Sequence, residues 1–260
     1  YSTISGATPI LKESDHYFFD LAKKQTQIED WLDTQPVTQE VRNKCQEWLS
    51  EGLKDWDISR DAPYFGFLIP GTQDKYFYVW LDAPIGYIAT AKKYAETQGG
   101  SLSDYWNDDH EIHHFIGKDI MYFHTLFWPA MLDCGDFSLP KKVHVHGFLT
   151  INGEKMSKSR GTFILAKDFA KIIDPTLLRY YLAAKLTPSM SDIDFSSEDF
   201  VNRVNADIIN KFSNILSRTV AILAKNCNAT LSKPDKQGEE LLTQLLTHSD
   251  SVADYYEHLE

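Results

Sequence analysis

The fold is decided by residues 142–162, KVHVHGFLTINGEKMSKSRGT. The β-branched residues between Lys142 and Ile151 predict a strand, and Asn152-Gly153 predicts a tight turn at its end. The loop that follows, Lys155–Ser159, carries two lysines and two serines. Such charges and hydroxyls can hold a triphosphate while negative charge builds up on a departing pyrophosphate, although a merely solvated loop is the alternative. The stretch therefore predicts a nucleotide site directly after a strand.

Upstream of this stretch the sequence predicts two more strands and a helix. The aromatic and β-branched run Lys75–Trp80 is typical of a buried strand, and His113–Ile116 predicts a second one. Gly117 then turns into a helix that we expect to run through Trp128 to Leu132. Strand, helix and strand in this order favour a parallel α/β sheet of the nucleotide-binding kind.

Downstream of Thr162 the pattern becomes helical. Asp174 and Pro175 suit the N-cap and first turn of a helix over 176–186, which Pro188 stops. Ser196 and Ser197 open a longer helix, and Asn226–Gly238 reads as a polar loop. We expect two antiparallel members of a bundle. Their apolar positions are Val201, Val204, Ile208, Phe212, Ile215, Thr219 and Ile222 in the first helix, and Leu241, Leu242, Leu245, Leu246, Val252 and Tyr256 in the second.

Near the N-terminus an amphipathic helix is expected after Thr38, with Gly52 just past its end. Its apolar face would contain Val41, Cys45, Trp48 and Leu49. The three cysteines, Cys45, Cys134 and Cys227, are too far apart for a metal knuckle or a disulfide framework. We expect three reduced thiols, two of them in the core.

Composition excludes several classes of protein. The chain of 260 residues is 43% hydrophobic and 24% charged, which is globular usage and not that of a collagen-like or disordered chain. Its net charge of −11 argues against indiscriminate nucleic-acid binding, so any contact with RNA must be local. No apolar run approaches the length of a membrane helix, and no export signal begins the chain. A cytoplasmic protein is expected.

The pentapeptide KMSKS resembles the second ATP-site motif of the class I aminoacyl-tRNA synthetases. Two further stretches, Trp56–Gly66 and Tyr78–Tyr87, are similar to the methionyl-tRNA synthetases in particular. The resemblance implies activation of methionine by ATP with Mg²⁺, transfer to tRNA(Met), and catalytic roles for Lys155, Ser157, Lys158 and Ser159, with Lys158 on ATP. The first ATP-site motif, H-x-G-H, does not occur in the sequence. We therefore expect an excised fragment that is inactive alone.

The same resemblance implies a methionine pocket. Its expected residues are Trp80, Ala83, Pro84, Tyr87, Ile120, Phe123, His124, Trp128 and Arg60. Aromatic walls with one hydrogen-bonding group suit a soft thioether, and 120, 124 and 128 share one helix face. The alternatives are that Tyr122, Phe127 and His124 are core residues. For Arg60, which resembles an arginine that works with an upstream acid, the alternative is a structural ion pair.

Gly117 and Asp119 are implied ATP contacts at a strand-to-helix turn, where a carboxylate can meet a ribose. The alternative for Asp119 is a helix N-cap. His144 and His146 alternate on one predicted strand and could hold a metal, but no third ligand is near in sequence and a structural role is favoured. The zinc knuckle of the family is expected upstream of Tyr1, so no metal is expected here.

Recognition of tRNA is predicted on the helix after Ser197. Its polar face consists of Arg203, Asp207, Asn210, Asn214 and Arg218. Asn214 and Arg218 match the anticodon-reading pair of the family, since an amide and a guanidinium can bond to and stack on splayed bases. A solvated face is the alternative. The rival functions are a non-catalytic tRNA-binding module and another class I synthetase.

The predicted organisation has four parts. Residues 1–58 form the tail of the connective insertion, and 59–160 the second half of a Rossmann-type catalytic domain with the KMSKS loop. Residues 161–195 form an α-rich stem-contact segment, and 196–260 begin a helical anticodon-binding domain. The expected fold class is therefore α/β, half of a Rossmann-type domain followed by an α-helical bundle segment.

Overall fold

A computed structural model describes residues 2, 6–8, 10–156 and 163–259. The chain divides into two compact units, Tyr1–His144 and Val145–Glu260. The first unit holds two antiparallel strand pairs, one between β1 (Phe18–Phe19) and β2 (Trp56–Asp57) and one between β3 (Ser59–Asp61) and β4 (Lys75–Phe77). Its helices are α1 (Gln25–Asp33), α2 (Gln39–Ser50), α3 (Val79–Asp82), α4 (Ile85–Thr97) and α5 (Trp128–Cys134).

Helix α2 confirms the prediction made around Thr38. Thr38 occupies the N-cap position, and Gly52 follows the helix with a left-handed φ of 81°. Val41, Cys45 and Leu49 are buried on the inner face, whereas Cys134 and Cys227 are exposed. The expectation of two core cysteines is therefore wrong, because only Cys45 lies on a buried helix face.

The strand expected over Lys75–Trp80 is shorter than predicted. β4 ends at Phe77, and the main chain turns at Tyr78, whose N–H donates to the carbonyl of Ile58 at 2.8 Å. Trp80 then lies in the single helical turn α3, where Ala83 N–H bonds back to Val79 O at 2.8 Å. The end of the aromatic run therefore forms a helical turn and not a strand. The composition of the run does not reveal this change.

The predicted helix after Gly117 is confirmed, but its geometry changes along its length. It follows β5 (His113–Gly117) with a 3₁₀ turn, Lys118–Ile120, and then a π-helical segment, Phe123–Phe127, ahead of α5. In the π segment Trp128 N–H donates to Phe123 O, five residues back. Pro129 has no N–H with which to continue an α-helical ladder to residue 125, so a widened turn before it is understandable.

The strand expected over Lys142–Ile151 is two strands, β6 (Lys142–His146), which pairs with β5, and β7 (Leu149–Ile151). The break falls at Gly147, where an added Cβ would lie 2.1 Å from the carbonyl oxygen of Ser191. This close approach brings β7 beside β9 (Ile193–Phe195), with which it pairs in parallel. β7 also forms an antiparallel hairpin with β8 (Glu154–Lys155) through the predicted Asn152-Gly153 turn.

The helices of the second unit follow the sequence signals at their starts. Asp174 caps α7 (Pro175–Ala183) by accepting from Thr176 N–H at 2.9 Å, although α7 ends three residues earlier than 186, the end predicted from the sequence. Ser196 caps the long helix as expected. The remaining elements are α6 (Ala166–Ile172), α8 (Ser197–Arg203), a π segment (Val204–Ser213), α9 (Asn214–Asn226), α10 (Lys236–Leu246) and α11 (Ser249–His258).

The core of the second unit lies where these helices meet β9. Tyr181, Phe195, Phe200 and Val204 are all less than 9% exposed, and the rings of Tyr181, Phe195 and Phe200 pack 5.5–5.9 Å apart. Lys185 reinforces this core, because its ammonium donates to Asp199 at 2.7 Å and to the carbonyl of Asp194 at 2.9 Å. This core therefore ties α7 and α8 to β9.

The bundle expectation is only partly met. The single second helix predicted over residues 241–256 is two helices, α10 and α11, separated at Thr247-His248. The apolar stripe is buried at Val204, but Phe212 and Ile215 are 73% and 70% exposed and Leu245 is 62% exposed. Among the described residues, the C-terminal part of the stripe, from Phe212 onward, is thus not covered by another element. No described helix is long and apolar enough to cross a bilayer.

Replacing Phe200 by alanine should lower the free energy of unfolding by about 3–5 kcal/mol, because it removes a ring from a packed aromatic core. Urea unfolding followed by circular dichroism measures the change. Ile172→Ala on α6 is the matched control, since Ile172 is 84% exposed and should change the value by less than about 0.5 kcal/mol. Equal effects of the two changes would contradict the assigned core.

Candidate functional site

Tyr87 and His124 form a hydrogen-bonded pair in the first unit. His124 Nδ1 lies 3.0 Å from the carbonyl oxygen of Ile120, which can only accept, so Nδ1 carries the proton. Burial lowers the pKa of His124, so the ring is neutral at pH 7 and its Nε2 accepts from the Tyr87 hydroxyl at 2.9 Å. His124 is 1% exposed and Tyr87 is 38% exposed. The pair therefore offers one polar group at the edge of an otherwise aromatic wall.

Trp128 and His114 form a second pair behind the first. The Trp128 indole N–H donates to His114 Nε2 at 3.0 Å, and an indole can only donate, so His114 accepts there. Burial, followed by the neighbouring His124, lowers the pKa of His114 to about 4. The ring of Tyr87 lies 4.8 Å from that of His114 and 6.1 Å from that of Trp128. The two pairs thus form one cluster.

Trp80 and Phe123 belong to an adjoining aromatic group. Their rings stack 4.5 Å apart with an interplanar angle of 11°. Trp56 extends this group, 5.9 Å from Phe123 and stacked on Phe127 at 3.8 Å. Phe127 is 5% exposed, in agreement with the core role preferred for it, and the half-buried Tyr122 packs on Trp48 at 4.7 Å. Phe123 therefore lies beside Trp80.

Ala83 and Pro84 join the two aromatic groups along the chain. Ala83 ends the α3 turn that carries Trp80, and Pro84 is the N-cap of α4, which carries Tyr87. Ala83 is exposed and Pro84 is buried. The two residues thus lie between Trp80 and Tyr87 in the sequence, at the junction of α3 and α4.

Arg60 makes an ion pair within the chain. Its guanidinium donates to Asp57 at 3.0 Å and lies 4.0 Å from the centre of the Tyr78 ring. Asp57 is itself held by the N–H of Ser59 at 3.0 Å. The structural ion pair that was the alternative for Arg60 is present, and it leaves the guanidinium half-buried beside the aromatic group.

Gly117 and Asp119 occupy the turn between β5 and the helical segment. Gly117 is the N-cap residue of the 3₁₀ turn, so the alternative of Asp119 as the N-cap is wrong, because the turn begins two residues earlier. The side chain of Asp119 is exposed and makes no hydrogen bond or ion pair with the described residues. Its carboxylate is thus available to an external hydroxyl group.

The structure describes two residues of the pentapeptide, Lys155 and Met156. Lys155 lies on β8, exposed, with its ammonium 5.2 Å from the centre of the Phe148 ring. Met156 lines an apolar cavity of about 140 Å³ with Leu149, Ile151, Phe169 and Phe195 among others. Ser157, Lys158 and Ser159 lie outside the described residues.

Asn214 and Arg218 are one helical turn apart on α9, so they share a face. The Asn214 amide donates to the carbonyl of Asn210 at 2.9 Å, and Arg218 is exposed. Asp207, on the same predicted polar face, is instead engaged with the Tyr180 hydroxyl at 3.0 Å and Lys211 at 2.9 Å. Arg218 is therefore the more available of the two residues.

The histidines of β6 have separate neighbours. His144 Nε2 lies 3.3 Å from His113 Nδ1, and His146 Nδ1 lies 2.8 Å from the carbonyl of Gly147. Among the described residues, no group of three or more histidine, cysteine or acidic side chains is arranged to hold a metal ion.

Sequence reasoning missed His114, Trp56 and Asp57. His114 could have been found from the period of two in β5, since it shares a face of the strand with Ile116, which is apolar and buried. Trp56 and Asp57 lie in a stretch that was singled out, but nothing local shows that Trp56 reaches Phe127 or that Asp57 reaches Arg60.

Because the pKa of His114 is low, the folded chain should begin to lose stability at a pH above that at which carboxylates become protonated. Between pH 6.5 and about 4 the unfolded chain binds a proton at His114 that the folded chain does not. The free energy of unfolding should therefore decrease as the pH falls through this window, by roughly 3 kcal/mol from this residue. Urea unfolding between pH 7.5 and 4.5 measures it.

His114→Gln keeps an acceptor for Trp128 but cannot titrate, so its pH dependence should be flatter than that of the unsubstituted protein. His110→Gln is the control, because His110 is exposed. An unchanged slope in His114→Gln would show that His114 is not the titrating group.

Comparison with known proteins identifies the family of the chain. The family profile described as tRNA synthetases class I (M) matches residues 1–220. Two structures of Mycobacterium tuberculosis methionyl-tRNA synthetase with methionyl-adenylate are similar at 30% and 28% identity, each with a TM-score of 0.81 over 99% of this chain. The apo form of that enzyme is similar at 26% identity and a TM-score of 0.76 over 94% of this chain.

The chain spans about half of the length of these structures, 51%, 51% and 48% respectively. The matches confirm the expected fold class, a Rossmann-like class I synthetase fold with a helical segment at its C-terminal end. The chain belongs to the class I tRNA synthetases of the methionyl type.

Proposed function

We propose that the protein is a methionine-tRNA ligase, which activates methionine with ATP and transfers it from methionyl-adenylate to tRNA(Met). The observation that carries the proposal is the Tyr87–His124 pair at the edge of an aromatic wall. Family membership supports a ligase that uses ATP, and the similar M. tuberculosis enzyme has been solved with methionyl-adenylate. Because the chain spans about half of that enzyme, the activity is proposed for the protein at its natural length.

Methionine suits this wall for physical reasons. Its thioether is uncharged and polarizable, and sulfur is stabilised near the edges of aromatic rings. Trp80, Phe123 and Trp128 provide such rings, while the Tyr87 hydroxyl, whose proton is donated to His124, adds a polar group to the wall without adding a charge. A charged side chain would lose its hydration in this wall without gaining a counter-ion, so methionine is favoured over lysine or glutamate.

Activation is proposed to proceed by in-line attack of the methionine carboxylate on the α-phosphorus of ATP, with pyrophosphate leaving. No side-chain nucleophile is required, and the protein contributes position and charge. Asp119 has a free carboxylate for ribose beside the backbone of Gly117, and Lys155 and Lys158, with Ser157 and Ser159, would neutralise and bind the phosphates. Mg²⁺ would arrive with ATP and supply further charge neutralisation.

We also propose the four-part organisation given above, a cytoplasmic location and a family zinc site outside this chain. The 260 residues alone are proposed to be inactive, because the sequence contains no H-x-G-H motif. Arg60 is proposed to orient the amino-acid side of the site through Tyr78, over which it lies.

Tyr87→Phe in the protein at its natural length should raise the KM for methionine about tenfold, because His124 Nε2 loses its donor in a buried site. Methionine-dependent exchange of pyrophosphate into ATP measures the constants, and the KM for ATP should stay within about twofold. Tyr105→Phe, at an exposed tyrosine that packs on Tyr94, is the matched control.

Two results would count against this proposal. An unchanged KM for methionine in Tyr87→Phe would remove the pair from the pocket. Exchange that depends on an amino acid other than methionine would assign the protein to another class I synthetase, and no exchange with any amino acid would favour a non-catalytic tRNA-binding module.

Asn214→Ala and Arg218→Ala should leave methionine activation within about twofold but lower the rate of tRNA(Met) charging by 10-fold or more, on the order of the loss of a stacked or hydrogen-bonded base. Aminoacylation and pyrophosphate exchange are measured side by side. Lys225→Ala, at an exposed cation of the same helix, is the control. Unchanged rates of tRNA charging in both variants would show that Asn214 and Arg218 belong to a merely solvated helix face.

A further inference from the structure

The hairpin that leads into the KMSKS motif turns through two residues with left-handed backbone angles. Asn152 and Gly153 have φ values of 49° and 79°, and they connect β7 and β8 in the register Ile151 opposite Glu154. A two-residue turn of this kind fixes the direction in which the second strand leaves. Lys155, the first lysine of the motif, lies opposite Thr150 on that second strand. The conformation of the turn therefore determines where Lys155 is presented.

Asp194 holds this turn from the neighbouring strand. One of its oxygens, Oδ1, accepts from the backbone N–H of Gly153 and from the hydroxyl of Thr150, each at 2.7 Å. Asp194 reaches both because β9 pairs in parallel with β7 and places Asp194 directly opposite Thr150. The N–H of Asn152 adds a main-chain bond to Phe195 O at 3.1 Å. Both residues of the turn are thus fastened to β9.

The carboxylate is well suited to this position. The bonds from Thr150 and Gly153 lower the pKa of Asp194, so the group is ionised at neutral pH and its hydrogen bonds are charge-assisted. The main chain of Asp194 is itself fixed, since its carbonyl accepts from the Lys185 ammonium at 2.9 Å. Asp194, which clamps the Asn152-Gly153 turn, is therefore anchored in the core of the second unit.

We propose that Asp194 is a positioning residue for the motif, which acts on the chemistry by holding the Asn152-Gly153 turn and thereby Lys155. The inference rests on the proposed function, in which Lys155 neutralises ATP phosphates. Asp194 touches no substrate in this proposal. Its effect is geometric, because a displacement of about 1 Å at a group that stabilises a transition state can change a rate by about 100-fold.

The test uses Asp194→Ala and Asp194→Asn in the protein at its natural length. Alanine removes the single oxygen that accepts both hydrogen bonds, whereas asparagine keeps an Oδ1 that can accept them. Asp194→Ala should lower the kcat of methionine-dependent pyrophosphate exchange by about 10- to 100-fold, with the KM for methionine within about twofold. Asp194→Asn should restore most of the rate.

Asp174→Ala is the matched control. Asp174 is in the same unit, and its Oδ1 likewise accepts from a backbone N–H and a hydroxyl, both of Thr176. Its side chain caps α7 and makes no hydrogen bond with the hairpin, so its loss should lower stability without lowering kcat. A comparable fall of kcat in Asp174→Ala, or an unchanged kcat in Asp194→Ala, would overturn the proposal.

Amide hydrogen exchange at Gly153 gives a second readout that does not depend on activity. The Gly153 N–H should exchange at least about tenfold faster in Asp194→Ala than in Asp194→Asn, since only alanine leaves it without its acceptor. Equal protection in the two variants would overturn the clamp itself. If the unsubstituted protein showed no pyrophosphate exchange, the proposed function would be overturned instead. Faster amide hydrogen exchange at Gly153 in Asp194→Ala would then still establish that Asp194 holds the turn.

Discussion

The first unit depends on two buried imidazoles that carry no charge. His114 and His124 lie 5.7 Å apart, ring to ring, among tryptophan and tyrosine side chains, and each uses its unprotonated nitrogen to accept from one of those side chains. A proton on either ring would replace an acceptor by a donor facing another donor, in surroundings that cannot solvate the charge. The same requirement that keeps the core intact therefore keeps this cluster of aromatic and imidazole rings without a charge.

The second unit is organised around one short strand. β9 contributes Phe195 to the aromatic core, Asp194 to the turn before the motif, and main-chain pairing to β7. Core and motif are thus served by adjacent residues whose side chains point to opposite faces. The packing of the core and the position of the turn before the motif are therefore coupled through the backbone of β9.

Much of this could be predicted from the sequence where the determinant is local. The start of α2, the Asp174 and Ser196 caps and the Asn152-Gly153 turn each follow from residues within one or two turns of chain. The end of β4 at Phe77 and the break at Gly147 depend on contacts with Ile58 and Ser191, which no periodicity reveals.

The site shows the same division. The residues implied by resemblance include Tyr87, His124, Trp80 and Phe123, which the fold brings together in pairs. His114 escaped notice because a histidine in a strand carries no local mark of its partner. Its role follows only from an indole N–H that reaches it from 14 residues away.

Gly147 places an unusual constraint on the gene. A β-carbon at this position would lie 2.1 Å from one backbone oxygen and 2.4 Å from the adjoining carbon, neither of which can rotate aside. Every missense change of a glycine codon adds at least that one carbon, so the position has no conservative neighbour among the amino acids. Random mutagenesis of this segment should consequently recover no folded variant with a substitution at codon 147.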